Sequence, residues 1–200
     1  MEGWWFSSKL DGWRTHIVRD KSHKIISGFE KADWAKGSDH SLFFLSSRNM
    51  SKGGPTVIPV CDEIIQSVEK LNLADLTILD SEWMARRTIG ECPEKIFIFD
   101  VIWLSNQWLG NLPYMERKRI REDLLKDKLT FVLDIPEEVQ NDIAGFFKKM
   151  TQIPWTEGMV GKHCDSKLKS GFDEPIKNPW WVKIKWRDGA SGRDTVRNLT

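Results

Sequence analysis

The chain has 200 residues, 40% of them apolar and 30% charged, which suits one domain with a real core and a well-solvated surface. Its formal net charge of +1 excludes a strong global field, so any nucleic-acid contact must come from a local basic face. Cys61, Cys92 and Cys164 stand far apart without a Cys-x-x-Cys pair, which excludes a disulfide framework and a zinc ribbon and fits a reducing, cytoplasmic setting.

No basic segment followed by an apolar one opens the chain. The longest apolar stretch, 96–104, is broken by Asp100 and is too short to span a bilayer, so no membrane partner is expected. The Asn-x-Ser/Thr matches at Asn49 and Asn198 then read as chance. Eleven tryptophans stand against one tyrosine. Core and rim packing accounts for most of them, with stacking on bases as the functional alternative.

Residues 4–8, WWFSS, and 13–18, WRTHIV, read as strands about Asp11-Gly12, a β-hairpin signal that rests on glycine's tolerance of positive φ. HSLFFLSS (40–47) is a further strand, followed by the loop NMSKGGP (49–55). Residues 60–71 carry Ile64, Ile65, Val68 and Leu71 at helical spacing. LTILDSEWM (76–84) and KIFIFDVIWL (95–104) read as buried strands, each broken by a carboxylate. Pro113 opens a charged helix to about Lys126. Pro136 opens another, with Val139, Ile143, Phe146, Phe147 and Met150 on one face. EGMVGK (157–162) and WWVKIKW (180–186) are strands again, separated by a polar Gly/Pro loop at 168–179. Grouped strands with few helices predict an α+β fold with antiparallel sheets rather than alternating βαβ units. Residues 1–187 make one domain and 188–200 a polar tail.

Polar residues interrupt the apolar strands: Lys9, Asp11 and Arg14; Asp80 and Glu82; Asp100 after Phe99; Glu157 and Lys162; Lys183 and Lys185. Residues two apart in a strand point the same way, so Asp80 and Glu82 share a face, as do Lys183 and Lys185. The face with two lysines must be solvated or meet an anion. Singly, each feature has an ordinary reading: Asp-Gly is a turn, Lys-x-Lys guards a sheet edge, and Phe99 is core. His163, Cys164 and Asp165 lack a second cluster at ligand spacing and read as chance adjacency, not a zinc or nickel site. His16 and His23 read as surface residues.

The order KLDGWR, SSRN, LDSEW, IFIFD, EGMVGK, VKIK resembles the covalent nucleotidyltransferase superfamily, most of all the catalytic (adenylation) domain of ATP-dependent DNA ligases. The resemblance runs from about Trp4 to Trp186. It implies an ATP-grasp-like α+β domain, antiparallel sheets flanked by helices, with the nucleotide pocket between the sheets. It implies that Lys9 attacks the α-phosphate of ATP and holds AMP. It further implies that Arg14 contacts the ribose and helps arrange the strand ends, and that Arg48 contacts nucleotide or nucleic-acid phosphate. Glu82 would bind the ribose, Phe99 stack on adenine, Glu157 attend the metal, and Lys183 and Lys185 contact the α-phosphate. The cofactors implied are ATP and Mg²⁺ or Mn²⁺. The implied partner is nicked duplex DNA, or RNA. The family's further OB-fold domain has no counterpart in a chain that ends 15 residues after Lys185, which leaves three readings: a minimal ligase, a piece of a longer protein, or a monomer helped by a separate DNA-binding partner.

The residue types suit this chemistry. An amine attacks only when unprotonated, and free lysine has a pKa of about 10.4. Neighbouring cations and burial lower it. Mg²⁺ takes oxygen ligands, which suits Glu157. Two departures stand out. Ser81 replaces the glycine of the family's Asp-Gly-Glu, and Ser7 stands where many ligases carry a base-reading glutamate. An RNA ligase, a GTP-using mRNA-capping guanylyltransferase and an inactive nucleic-acid-binding relative are the alternatives.

Overall fold

A computed structural model describes residues 2–22, 35–46, 56–84, 94–169 and 178–186. His23, Arg48, the loop 49–55, Cys92, most of the loop 168–179 and everything from residue 187 lie outside the described residues. Two sheets carry the fold. The first has the order β11-β10-β1-β9, from β1 (Trp4–Leu10), β9 (Glu138–Val139), β10 (Thr156–His163) and β11 (Trp181–Lys185). The second has the order β4-β3-β2-β5-β6-β7. Its strands are β2 (Trp13–Arg19), β3 (Leu42–Ser46), β4 (Thr56–Val57), β5 (Thr77–Met84), β6 (Lys95–Leu104) and β7 (Gln107–Trp108). The short β8 (Leu133–Asp134) pairs with β6 in parallel, while the other pairings are antiparallel. With the helices α1 (Asp62–Glu69), α2 (Tyr114–Leu125) and α3 (Ile143–Thr151), this is the α+β architecture expected from the sequence.

Each sheet buries one face under a helix. Ile64 and Val68 of α1 close over Ile17, Phe44, Leu79 and Ile98 of the second sheet. Phe146 and Met150 of α3 close over Phe6, Met159 and Trp186 of the first. Each such large apolar side chain contributes about 1.5–3 kcal/mol by leaving water.

The hairpin expected at Asp11-Gly12 is not there. β1 and β2 belong to different sheets, and the dipeptide carries the chain from one to the other. Positive φ is not the reason for Gly12 either: among described glycines only Gly3 and Gly37 adopt it. Gly12 is required for room, since a Cβ there would lie 2.7 Å from Glu82 Cγ, Met84 Sδ and the Trp83 carbonyl oxygen.

The helix expected from Pro136 begins later, at Ile143, where Asp142 accepts a hydrogen bond from the Gly145 N–H at 3.0 Å. Glu138 and Val139 instead form β9, which pairs with Ser7 and Phe6. An open edge of β1 would leave backbone groups unpaired, and β9 supplies their partners. Val139 still reaches the α3 cluster, because a strand can present it there as well as a helix could.

Candidate active site

The register of the first sheet aligns the cationic residues. Lys9 of β1 faces Gly158 of β10, which faces Lys185 of β11. The next row on the same face is Ser7, Val160 and Lys183, and the third is Trp5, Lys162 and Trp181. Gly158 has no side chain to separate the two lysines, and it has no space for one: a Cβ would meet the Ile184 carbonyl oxygen at 2.0 Å.

Strict alternation would turn Glu157 away from this face. The β1–β10 register slips between Lys9 and Leu10, pairing Lys9 with Gly158 but Leu10 with Thr156. Glu157 is the extra residue of that bulge, and a bulge re-aims its side chain. The carboxylate therefore accepts hydrogen bonds from Lys9 Nζ through one oxygen and from Lys185 Nζ, at 3.3 Å, through the other.

The second sheet supplies the facing wall. Arg14 of β2 pairs in register with Glu82 of β5, and His16 with Asp80. Asp80 is buried and takes Arg14 bidentately at 2.9 and 2.8 Å. Glu82 accepts the Gly12 N–H at 3.1 Å, so the crossover itself positions this carboxylate. His16 is half-buried, 3.7 Å from Asp80, which corrects its reading as a surface residue. A second bulge lies on β6: Asp80 faces Asp100 while Ser81 faces Ile98, leaving Phe99 unopposed. Ser81 is fully buried and donates to the Thr15 carbonyl at 2.6 Å, so the serine is absorbed within the sheet and leaves Glu82 in place.

Between the walls lies a cavity of about 270 Å³, lined from β1 by Ser7 and Lys9, from β2 by Arg14, from β5 by Asp80 and Glu82, from β6 by Phe99, and from β10 and β11 by Lys162 and Lys183. Glu157 and Lys185 join it through Lys9. Of the residues expected at a site, Lys9, Arg14, Glu82, Phe99, Glu157, Lys183 and Lys185 are thus brought together. Arg48 falls outside the described residues.

The charges act on one another. Burial first, then Lys185 and Lys183, lowers the Lys9 amine from 10.5 to about 8 against the pull of Glu82. Burial exceeds either lysine. Burial also raises Glu82 from 4.5 to about 7, aided by Asp80 and opposed by Lys9. Burial pushes Asp80 up as well, but the Arg14 guanidinium wins and holds it below the usual carboxylate range.

Sequence reasoning missed the polar face of α2. Its buried residues are Tyr114, Arg117, Lys118, Arg121 and Leu125, at helical spacing but mostly charged. Arg117 holds Asp100 bidentately at 2.9 and 3.1 Å. Lys162, buried at the cavity wall, lies 3.7 Å from Asp100 with Tyr114 and Trp181 rings at 4.7 and 4.8 Å. The ligand atoms of His163, Cys164 and Asp165 do lie within 4.8 Å of one another, as three consecutive residues of one turn. His163 Nδ1 there accepts the Asp165 N–H at 3.3 Å.

No family model matches the sequence. A DNA ligase of Thermoplasma volcanium is 32% identical over 206 residues, covering 96% of this chain and 32% of that protein. The chain is similar to the nucleotidyltransferase (adenylation) domain of DNA ligases. DNA ligase 1 of Korarchaeum cryptofilum is 28% identical over 99 residues, half of this chain and 17% of that protein. The chain thus spans about a third or less of the curated relatives it matches. Among solved structures, the ligase domain of M. tuberculosis LigD superposes with a TM-score of 0.59 at 18% identity, covering 93% of this chain and 58% of that one. A mycobacterial DNA ligase D in complex with ATP and MES gives 0.61 at 18%, covering 92% and 55%. These two likenesses establish a common fold.

Proposed function

We propose that this chain is the catalytic core of an ATP-dependent DNA ligase, a covalent nucleotidyltransferase acting on nicked duplex DNA. The observation that carries the reading is the row Lys9–Gly158–Lys185 with Glu157 turned onto it by the bulge. It places an amine of lowered pKa at the cavity wall beside Lys183, and joins it to Glu157 and Lys185 by hydrogen bonds. Residues 1–187 are the nucleotidyltransferase domain and 188–200 a polar tail. Two mostly antiparallel sheets with a cavity between them support the ATP-grasp-like reading of the fold. Free thiols at Cys61 and Cys164 support a cytoplasmic setting.

In the first step the neutral Lys9 amine attacks the α-phosphorus of ATP. The N–P bond forms, the bond to pyrophosphate breaks, and the amine gives up its proton. Lys183 and Lys185 stabilise charge on the phosphates as pyrophosphate leaves. Phe99 stacks on the base and Glu82 meets the ribose. In the second step a 5′-phosphate oxygen displaces Lys9 from the AMP phosphorus. In the third a 3′-hydroxyl attacks the activated 5′-phosphate, the phosphodiester forms, and AMP leaves. Arg14 and Arg48 serve the strand ends. The buried Glu157, an oxygen donor beside Lys9, fits Mg²⁺ or Mn²⁺; such an ion would add positive charge at the phosphates.

The test is to incubate the protein with each α-labelled nucleotide and Mg²⁺, and separately with nicked DNA and nicked RNA. The expected result is covalent label from ATP and sealing of nicked DNA. Label from GTP alone would move the assignment to a capping enzyme, with Ser7 as the altered base-reading position. Sealing of RNA alone would make the chain an RNA ligase. No label from any nucleotide would sink the enzyme reading.

A further inference from the structure

The β6 bulge exposes a need that α2 meets. A bulged residue has no opposite number in the ladder, so its carbonyl must find a donor elsewhere. The Phe99 carbonyl accepts from Arg121 Nη1 at 2.7 Å. The same guanidinium grips Glu138 with Nη1 and Nη2, both at 3.0 Å. Glu138 also accepts from the Tyr114 hydroxyl at 2.7 Å, and its backbone pairs with Ser7, two residues before Lys9. Arg121 is fully buried. One helical turn earlier, Arg117 holds Asp100, the residue after Phe99. Two successive turns of α2 thus grip two successive residues of the bulge.

We propose that Arg121 is a positioning residue for the Phe99 ring, tying the bulge that carries the ring to Glu138 and so to the strand that carries Lys9. The proposal rests on the reading of Phe99 as the base-stacking residue. The grip sets where the ring stands relative to the nucleophile, across a cavity whose two walls otherwise belong to separate sheets. Arg121 Nε has no acceptor, so the terminal nitrogens make the whole contact. A lysine ammonium is a point charge and cannot reproduce that fork.

Two measurements on the full chain test this. In the first, the ATP concentration for half-maximal label and the rate at saturating ATP are measured for the parent, Arg121→Lys, Phe99→Leu and the double variant. Arg121→Lys is expected to raise the half-saturating ATP about tenfold, a loss within the range for one stacked base. The saturating rate should change little, and the same substitution should have little effect in the Phe99→Leu background, because coupled residues are not additive. An equal effect in both backgrounds would overturn the proposal. In the second, 4-fluorophenylalanine is placed at position 99 and its ¹⁹F line is recorded without nucleotide. A single narrow line in the parent should broaden or split in Arg121→Lys, and in Glu138→Gln should Arg121→Lys fail to fold. An unchanged line would overturn the clamp. A responsive line in a protein that takes no label from ATP would uphold the clamp and sink the nucleotide reading instead.

Discussion

The two walls of the cavity are built differently. The first sheet presents Lys9, Lys162 and Lys183, with Lys185 joined to Lys9 through the Glu157 carboxylate. The second presents Asp80, Glu82 and Phe99, and among the described residues its cation there, Arg14, is already held by Asp80. A wall of cations around a buried amine suits attack on a phosphate and stabilisation of a departing one. A wall of carboxylates and an aromatic ring suits hydroxyls and a flat base. In the proposed function reaction and recognition are divided between the sheets, and the Asp11-Gly12 crossover joins the two walls within a few residues.

The sharpest way to break the first wall is Lys9→Ala, which is expected to abolish covalent label from ATP while the melting curve changes little. Lys185→Ala should come next, slowing label formation by about 10²–10³-fold, the scale for losing one group that stabilises developing charge. Lys185 helps lower the Lys9 pKa, so the pH–rate profile, expected to have its midpoint at about 8 in the parent, should shift upward on its removal. Most of the lowering should survive, because burial is the larger cause. An unmoved midpoint would contradict the coupling. Gly158→Ala separates packing from charge: the added Cβ collides with the Ile184 carbonyl, and a loss of about 1–3 kcal/mol is expected in denaturant melts.

The smallest expected effect sharpens the second wall. Glu82 titrates at about 7 in the fold and 4.5 ordinarily, so between those values the folded chain binds more protons than the unfolded one. Its contribution to stability is complete below pH 4.5 and is lost as pH rises to about 7. Glu82→Gln should flatten that part of the stability–pH curve, as read by urea midpoints between pH 4 and 8. An unchanged slope would show that Glu82 is not the buried group responsible.

Much of this was legible in the sequence because it is local. The runs at 76–84 and 95–104 announce strands by composition, and both are strands, β5 and β6. Pro113 announces α2. The order of the motifs identified the residues that converge. What was not legible depends on partners. Asp11-Gly12 signals a turn, but nothing local says whether the next strand pairs with β1 or leaves for another sheet. Period-two reasoning places Glu157 on the wrong face, because a bulge depends on how β1 and β10 align. The charged residues of α2 look solvated until Asp100 and Glu138 are seen to bury Arg117 and Arg121. Val139 fits a helical stripe as well as it fits β9, and only the open edge of β1 decides.

The division of labour has one direct test. After incubation with ATP and Mg²⁺ across a pH series, the protein is digested and attached AMP is located by tandem mass spectrometry. AMP is expected on Lys9 alone, with a formation rate that rises with pH to a plateau above about 8. AMP on Lys162, Lys183 or Lys185, or a rate that keeps climbing toward pH 10, would contradict it.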